Sequence, residues 1–201
     1  TPARAEERLA ALERGAAALR TIEALRATGA RVEVLTCDIT SPAEVEAAVA
    51  QVLGSAGRVD VLLHAAGIEV SRRFENKSQE EIEQTVAIKA SGLFHLYDAL
   101  RRSQALPGHI VAFSSIAGRF GNSGQTDYSA ANDLLCRFVS ALRSQHPEIK
   151  AQVIDWGPWS DVGMASRGHI PALMARAGIE MLSPAAAAPC VYRELTLAPA
   201  G

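Results

Sequence analysis

Short apolar segments alternate along this chain with longer segments of helical periodicity, and this alternation leaves few folds open to it. Four short segments rich in valine, isoleucine and leucine are predicted to be strands: residues 31–38, 61–63, 109–115 and 151–157. Segments with the apolar spacing of a helix lie before, between and after them. Strands that alternate with helices form a parallel sheet with right-handed crossovers. The pattern therefore predicts an α/β domain.

Capping signals place the ends of the predicted helices. Ser41 with Glu44, and Ser78 with Glu81, form the S-x-x-E pattern of a capping box. Gly29 lies where a first helix would stop, since glycine is the usual residue after a helix end. The predicted helices cover residues 3–29, a segment that begins at 42, a segment from 79 to about 103, residues 127–145 and a segment that begins at 184.

Composition and charge exclude several classes of protein. The formal net charge of −2 gives no electrostatic basis for binding nucleic acid or an anionic membrane. No apolar run approaches the roughly 18 residues of a membrane-spanning helix. Cys37, Cys136 and Cys190 lie far apart, with neither metal-ligand spacing nor a disulfide framework. We therefore expect a cytoplasmic protein with no metal site and with neither nucleic acid nor membrane as a partner.

Four polar residues are expected to meet at one edge of the sheet. Tyr128 and Asn132 are four residues apart at the start of a predicted helix, so they share one face of it. Ser115 ends a predicted strand, and ligands bind at the carboxyl ends of parallel strands. Lys89 lies in an apolar stretch of the preceding long helix, from which an inward side chain could reach the same pocket.

These four side chains suit the reduction of a carbonyl group. A carbonyl oxygen that gains negative charge needs a hydrogen-bond donor and a proton donor. Ser115 can supply the first and Tyr128 the second, although a free tyrosine has a pKa near 10. A nearby Lys89 ammonium is expected to lower that pKa. Asn132 can hold a water or a side chain for proton relay.

The segment FSSIAGRFGNSGQTDYSAAN is similar to the active-site segment of short-chain dehydrogenases/reductases. Most members of that family have lysine four residues after the tyrosine and asparagine on the earlier helix. Here Lys89 is on the earlier helix and Asn132 follows the tyrosine. This exchange resembles the ketoreductase domains of polyketide and related fatty-acid synthases. HAAG at residues 64–67 and WGPW at residues 156–159 resemble two further segments of those domains.

The resemblance implies a Rossmann-like doubly wound parallel sheet in three layers, α/β/α. It implies NADPH as cofactor and a β-ketoacyl thioester on an acyl carrier protein as substrate, with other synthase domains as partners. Catalytic roles are implied for Ser115, Tyr128, Lys89 and Asn132. Cofactor contacts are implied for Asp38, Ala65, Ala66, Gly67, Lys89, Tyr128, Gly157 and Pro158. Substrate contacts are implied for Trp159 and Phe120.

The sequence lacks a strand followed by a glycine-rich G-x-G-x-x-G turn, with which nucleotide-binding α/β domains usually begin. We therefore interpret residues 1–201 as one catalytic domain that is incomplete at its N-terminus, where the first strands and the glycine-rich loop are missing, and incomplete at its C-terminus as well. The preference for NADPH over NADH rests on the resemblance alone. The segment after HAAG lacks the Leu-Asp-Asp signature of one stereochemical class of ketoreductases, so the product stereochemistry stays open.

Other interpretations remain at several positions. The whole chain could be a free-standing short-chain dehydrogenase or a non-catalytic structural half-domain of a synthase. His64 is predicted to pack at a strand end rather than act as an acid or base. Asp38 could cap a turn instead of contacting adenine. Three basic residues are predicted to form a solvated face, with docking of an acidic acyl carrier protein as the alternative: Arg72, Arg73 and Lys77.

Overall fold

The computed structural model describes residues 2–166, 168 and 170–197. These residues form two compact units that meet in sequence between Thr36 and Cys37. The first unit contains helix α1, Pro2–Ala27, followed by a turn in which Gly29 has φ of +85°. This agrees with the helix predicted over residues 3–29. The prediction of a single domain over residues 1–201 stays a prediction.

The strand predicted over residues 31–38 is wrong, because these residues form no strand. Their alternating pattern satisfies the side-chain requirement of a strand, but a strand also needs a neighbour for its backbone N–H and C=O groups. Residues 31–38 have no strand partner within the described part of the chain, where the single sheet has three strands. Val34 is exposed as a result.

The second unit is built on a parallel sheet of three strands in the order β1–β2–β3, with bounds Val61–His64, His109–Ser115 and Lys150–Trp156. The register pairs Val61 with His109 and His109 with Lys150. The three strands therefore run side by side, and their carboxyl ends lie at one edge. Three of the four predicted strands and the parallel sheet are confirmed.

Helices α2 (Pro42–Ala56), α4 (Gly92–Arg102) and α6 (Thr126–Gln145) cover one face of this sheet. Side chains that point to this face from β2 and β3 join apolar residues of α4 and α6 in the main core: Leu93, Ile110, Ala112, Leu135, Val139, Leu142, Ile149 and Ala151. A second cluster joins α2 to α4: Val45, Val49, Ala99 and Leu100. Burial of these apolar faces is the main stabilising term.

The opposite face of the sheet contacts helix α8, Pro184–Thr196. Gln152 of β3 alternates with the core residue Ala151, so it points to this second face, where its Nε2 donates to the backbone carbonyl of Glu194 at 3.1 Å. Helices therefore lie on both faces. The Rossmann-like three-layer architecture is confirmed.

The helix predicted from 79 to about 103 has three parts. Helix α3, Gln79–Val86, begins with the predicted capping box, in which both Ser78–Glu81 bonds are present. A π-helical turn follows at Ala87–Ser91, and α4 continues to Arg102. At α2 only half of the predicted box forms: Ser41 accepts from the Glu44 N–H, but the Glu44 carboxylate accepts from the backbone N–H of Asp38 instead.

Three short elements are absent from the sequence prediction: a 3₁₀ turn at Phe74–Asn76, α5 at Ile116–Phe120 and α7 at Ile170–Arg176. Each is too short for helical periodicity to show in the sequence. Helix α5 begins where the Ser115 hydroxyl accepts a hydrogen bond from the Ala117 N–H at 3.2 Å. Across the described ranges, no helix combines the length and apolar character that crossing a membrane requires.

Candidate active site

The candidate site lies at the carboxyl edge of the sheet. His64, Ser115 and Trp156 are the last residues of the three strands, so the segments after them converge at this edge. These segments are residues 65–67, helix α5 and residues 157–159. Helix α6, which carries Tyr128 and Asn132, packs against β2, β3 and α5. The parallel topology thus brings the sequence-predicted residues to one place.

Ser115 and Asn132 act on the Tyr128 phenol. Hydrogen bonding by both side chains favours the phenolate and lowers its pKa. Asn132 also donates from Nδ2 to the backbone carbonyl of Tyr128 at 2.8 Å, which fixes the amide within the first turns of α6. Its Oδ1 is buried without a hydrogen-bond partner among the described residues. The group therefore keeps one unused acceptor beside the tyrosine.

The pKa of Tyr128 is raised above its ordinary value. Burial is the largest cause, because it disfavours the phenolate. The hydrogen bonds of Asn132 and Ser115 lower the pKa by less, and the negative charge of Glu69 raises it further. This direction is opposite to the lowering expected from the sequence. A buried tyrosine of this kind holds its proton at neutral pH and is suited to act as a proton donor.

Lys89 is buried beside Tyr128, with only 4% of its surface exposed. Its Nζ donates to the backbone carbonyl of Phe113 on β2 at 2.7 Å and lies 5.9 Å from the centroid of the Tyr128 ring. Burial lowers the pKa of Lys89 from 10.5 to about 8. Lys89 is therefore a buried residue of the site with a charge that is still present at pH 7.

His64, at the end of β1, anchors the π-helical turn that carries Lys89 to the sheet. The buried imidazole of His64 donates from Nε2 to the Lys89 carbonyl at 2.8 Å. Burial lowers the pKa of His64, so the ring is neutral at pH 7. This agrees with the predicted packing role. The bond itself was not foreseen, because no local sequence signal links residues 25 positions apart.

Most of the predicted cofactor residues directly follow the strands at this edge. Ala65, Ala66 and Gly67 follow β1 directly. A Cβ on Gly67 would lie 3.0 Å from Cδ of Lys89, so glycine lets the lysine pass close to the backbone. The Asp38 carboxylate accepts from the Thr40 N–H and hydroxyl at 2.9 and 2.8 Å. Asp38 thus caps a local turn, which was the alternative interpretation of this residue.

The segment Gly157–Pro158–Trp159 follows β3 and is held by the backbone of Leu182, whose N–H donates to the Pro158 carbonyl at 2.8 Å. The Trp159 ring meets Trp156 edge-on at 4.8 Å between centroids. Phe120, at the end of α5, is 83% exposed and contributes an apolar surface rather than a buried contact. The two predicted substrate residues therefore differ in their surroundings.

The predicted solvated face is wrong at Lys77. The side chain of Lys77 is 1% exposed and forms an ion pair with Asp127, whose side chain is 2% exposed. Arg72 and Arg73 are exposed, but each pairs with a nearby glutamate. No local pattern in the sequence indicates the buried pair, because its two members are 50 residues apart and Lys77 follows a polar stretch.

Comparison with known proteins shows the family to which this chain belongs. The family model of the KR domain matches residues 3–161. Polyketide synthase GfsB of Streptomyces halstedii is 34% identical over 95% of this chain, which spans 3% of that synthase. The short-chain reductase protein NovJ of Streptomyces niveus is 33% identical over 62% of this chain, and the match covers 48% of NovJ.

Among solved structures, the ketoreductase PlmKR1 from the first module of phoslactomycin biosynthesis in Streptomyces sp. HK803 superimposes with a TM-score of 0.77. It is 28% identical, and the match covers 87% of this chain and 39% of that one. Within the described residues, no group of three or more His, Cys, Asp or Glu side chains could hold a metal ion. Because the family match covers well over half of its residues, this chain belongs to the KR domain family, which includes the ketoreductase domains of polyketide synthases and has the short-chain dehydrogenase/reductase fold.

Proposed function

We propose that this chain catalyses the NADPH-dependent reduction of a β-ketoacyl thioester, carried on an acyl carrier protein, to the β-hydroxyacyl thioester. The observation that carries the proposal is the convergence of Ser115, Tyr128, Lys89 and Asn132 at the carboxyl edge of the sheet. A hydroxyl donor, a proton donor, a cation and an amide are the groups that a carbonyl needs as its oxygen gains charge.

Tyr128 gives its proton to the carbonyl oxygen of the substrate. Burial keeps the phenol protonated at neutral pH, so the acid is ready before the reaction begins. The Ser115 hydroxyl, which also acts on the phenol and lowers its pKa, donates a hydrogen bond to the same oxygen. Both donors are fixed by the strand end and by the first turn of α6, and a preorganised donor stabilises charge without reorganisation.

Lys89 and Asn132 support the tyrosine after it loses its proton. The Lys89 ammonium lies 5.9 Å from the phenol ring and stabilises the phenolate that forms. Asn132 lowers the pKa of the phenol, and its Oδ1 is a buried acceptor with no partner in the described part of the chain. That atom is placed to hold a water through which the tyrosine regains a proton.

The residues present fit a nicotinamide cofactor at this edge, because the Lys89 ammonium lies 5.9 Å from the Tyr128 ring centroid and Gly67 leaves open backbone beside it. When bound, the cofactor supplies the hydride that adds to the carbonyl carbon. Ala65, Ala66 and Gly67, with Gly157 and Pro158, would hold its nicotinamide end, and Asp38 would lie toward the adenine. The choice of NADPH over NADH follows from the resemblance to synthase ketoreductases.

The acyl carrier protein and other synthase domains are proposed as partners because relatives such as the polyketide synthase GfsB are much longer. This chain spans 3% of GfsB. Trp159 and the exposed Phe120 would contact the acyl group or its carrier arm. The match to the short-chain reductase NovJ favours a second candidate, a free-standing reductase of small ketones. Comparing turnover of a β-ketoacyl group on a carrier protein with turnover of a free ketone separates the two.

Replacing Tyr128 by phenylalanine tests the proposal. The Tyr128→Phe variant removes the proton donor but keeps the ring, so kcat for a β-ketoacyl thioester should fall by about 10²–10⁴-fold. The dissociation constant of NADPH should change by less than about 3-fold, because the acid acts on the substrate oxygen. Steady-state kinetics and a fluorescence titration of NADPH measure the two quantities.

Tyr192→Phe is the matched control, because Tyr192 is exposed on α8 and belongs to no part of the site. Its kcat should equal that of the wild-type protein. Near-normal turnover by Tyr128→Phe would remove Tyr128 from the mechanism and with it the proposed chemistry.

A further inference from the structure

A buried ion pair joins two segments next to the candidate site, and the proposed chemistry does not use it. The Lys77 Nζ lies 2.9 and 3.0 Å from the two carboxylate oxygens of Asp127. The same nitrogen donates to the backbone carbonyl of Val70 at 2.6 Å. The ammonium therefore has two hydrogen-bond acceptors, the Val70 carbonyl and Asp127 Oδ2, while Asp127 Oδ1 contacts it as an ion pair without a hydrogen bond of its own.

The two ends of this pair sit on elements that bear on Tyr128. Asp127 is the residue before Tyr128 in the first turn of α6, and the Tyr128 backbone N–H helps to lower the pKa of its carboxylate. Lys77 ends the segment of residues 68–77, which contains Glu69, the carboxylate whose charge acts on the tyrosine. The ion pair thus connects residues 68–77 to the turn of α6 that carries the proton donor.

Weaker contacts join the same two segments. The Arg72 N–H donates to the Gly124 carbonyl at 2.9 Å, and Gln125 donates from Nε2 to the Ser71 hydroxyl at 3.2 Å. Gly124 has φ of +77°, and a Cβ there would lie 3.3 Å from the backbone nitrogen of Arg72. These bonds are at the surface, so the buried ion pair is the part of the connection from which water is excluded.

We propose that Lys77 is a positioning residue for the reaction: its ammonium clamps residues 68–77 to the first turn of α6 and thereby fixes the Tyr128 phenol against Ser115 and the substrate. The inference rests on the proposed function for its kinetic consequence. Its structural part, the placement of the phenol, does not depend on which substrate is reduced.

Charge compensation makes this role separable from plain stability. Removing one member leaves the other charge buried and uncompensated, which destabilises the fold strongly, whereas removing both is close to neutral. The Lys77→Met/Asp127→Asn double variant has similar side-chain volumes and no buried charge, but it lacks the bonds from the ammonium to Val70 and α6. It tests placement of the tyrosine in a protein of near-normal stability.

The experiment compares wild-type protein, Lys77→Met and the double variant in urea unfolding, in steady-state kinetics with a β-ketoacyl thioester, and in a phenolate absorbance titration assigned with Tyr128→Phe. We expect Lys77→Met to unfold at lower urea and the double variant to regain most of that loss. We expect kcat of the double variant to stay about 10²-fold down with little change in KM, as for a misplaced catalytic group. Tyr128 should ionise at higher pH, because its hydrogen bonds to Ser115 and Asn132 weaken.

Arg137→Met/Asp133→Asn is the matched control, since this pair is on the same helix but exposed. It should leave all three measurements unchanged. A double variant that regains both stability and kcat would reduce the pair to a structural role and overturn the proposal. If the wild-type protein reduces no β-ketoacyl thioester, the proposed function fails, but the titration still tests the positioning role of Lys77. A double variant whose Tyr128 ionises at the same pH as in the wild-type protein overturns that role, and one whose Tyr128 ionises at higher pH supports it.

Discussion

Two lysine side chains are buried near Tyr128, and they differ in what compensates their charge. Lys77 holds both oxygens of the Asp127 carboxylate, at 2.9 and 3.0 Å. Lys89 has no ion pair with a carboxylate in the described part of the chain, and it donates to the carbonyl of Phe113. Burial therefore lowers the pKa of Lys89 to about 8. The charge of Lys77 is thus neutralised by a carboxylate that also fixes the side chain, whereas the charge of Lys89 is compensated by no carboxylate in the described residues and is left for the phenolate of Tyr128.

Substituting Lys89 should give the largest effect, with a loss of activity and a gain of stability. Lys89→Met should lower kcat by about 10²-fold or more, because the phenolate loses its cation. Each pKa unit corresponds to about 1.4 kcal/mol, so burial of the Lys89 charge costs roughly 3 kcal/mol of folding free energy at pH 7. The variant no longer bears this cost, but it loses the hydrogen bond to Phe113, which is worth about 1 kcal/mol. Urea unfolding should therefore find the variant more stable by roughly 2 kcal/mol.

The comparison with Lys77→Met sharpens this prediction, since that variant leaves the Asp127 charge uncompensated and should be less stable than the wild-type protein. If both single variants lost stability equally, the distinction between a paired and an unpaired lysine would be wrong.

The pH dependence gives a second test of the Lys89 charge. The folded pKa of Lys89 is about 8 and its ordinary value is 10.5, so the burial penalty is complete below pH 8 and disappears as pH rises toward 10.5. The wild-type protein should therefore gain stability relative to Lys89→Met across this range. Activity should change in the opposite direction, with kcat falling by up to about 10-fold per pH unit above pH 8, because the neutral lysine cannot stabilise the phenolate.

The raised pKa of Tyr128 keeps the phenol protonated at the pH where Lys89 begins to lose its charge, so the first fall in kcat above pH 8 reports on Lys89. A pH profile of kcat that stays flat to pH 10 in the wild-type protein would show that the charge of Lys89 is not needed.

The sequence predicted best what depends on local pattern. The three strands of the sheet, the capping box at Ser78 and the position of Tyr128 and Asn132 on one helix all follow from periodicity or spacing within a few residues. The resemblance to ketoreductases added the order of the site residues along the chain. Parallel topology then placed Ser115 and Tyr128 at one edge, as that order required.

The sequence failed where a feature depends on distant contacts. Residues 31–38 have the alternation of a strand but lack a partner strand in the described ranges. The π-helical turn around Lys89 accompanies a bond from His64, which is on another element. Lys77 follows Arg72 and Arg73 in a polar stretch, yet it is buried because Asp127 lies opposite it. In each case the deciding partner is far away in sequence.

The smallest predicted effect concerns the close approach of Lys89 to the backbone. Gly67→Ala adds a Cβ 3.0 Å from Cδ and 3.2 Å from Nζ of Lys89. The lysine is flexible enough to move by a few tenths of an ångström, so the free energy of unfolding should change by less than about 1 kcal/mol. That movement shifts the ammonium relative to the Tyr128 ring, and we expect kcat to fall by about 3- to 10-fold.

Gly54→Ala is the control for this change, because a Cβ at Gly54 of α2 meets no atom within 4 Å. It should leave kcat unchanged and stabilise the helix by up to about 1 kcal/mol, since alanine has the higher helix propensity. A Gly67→Ala variant with wild-type kcat at every pH would mean that the position of Lys89 tolerates displacement. Lys89 would then act through its charge alone and would need no exact position. It would differ from Lys77 only in having no carboxylate that compensates its charge.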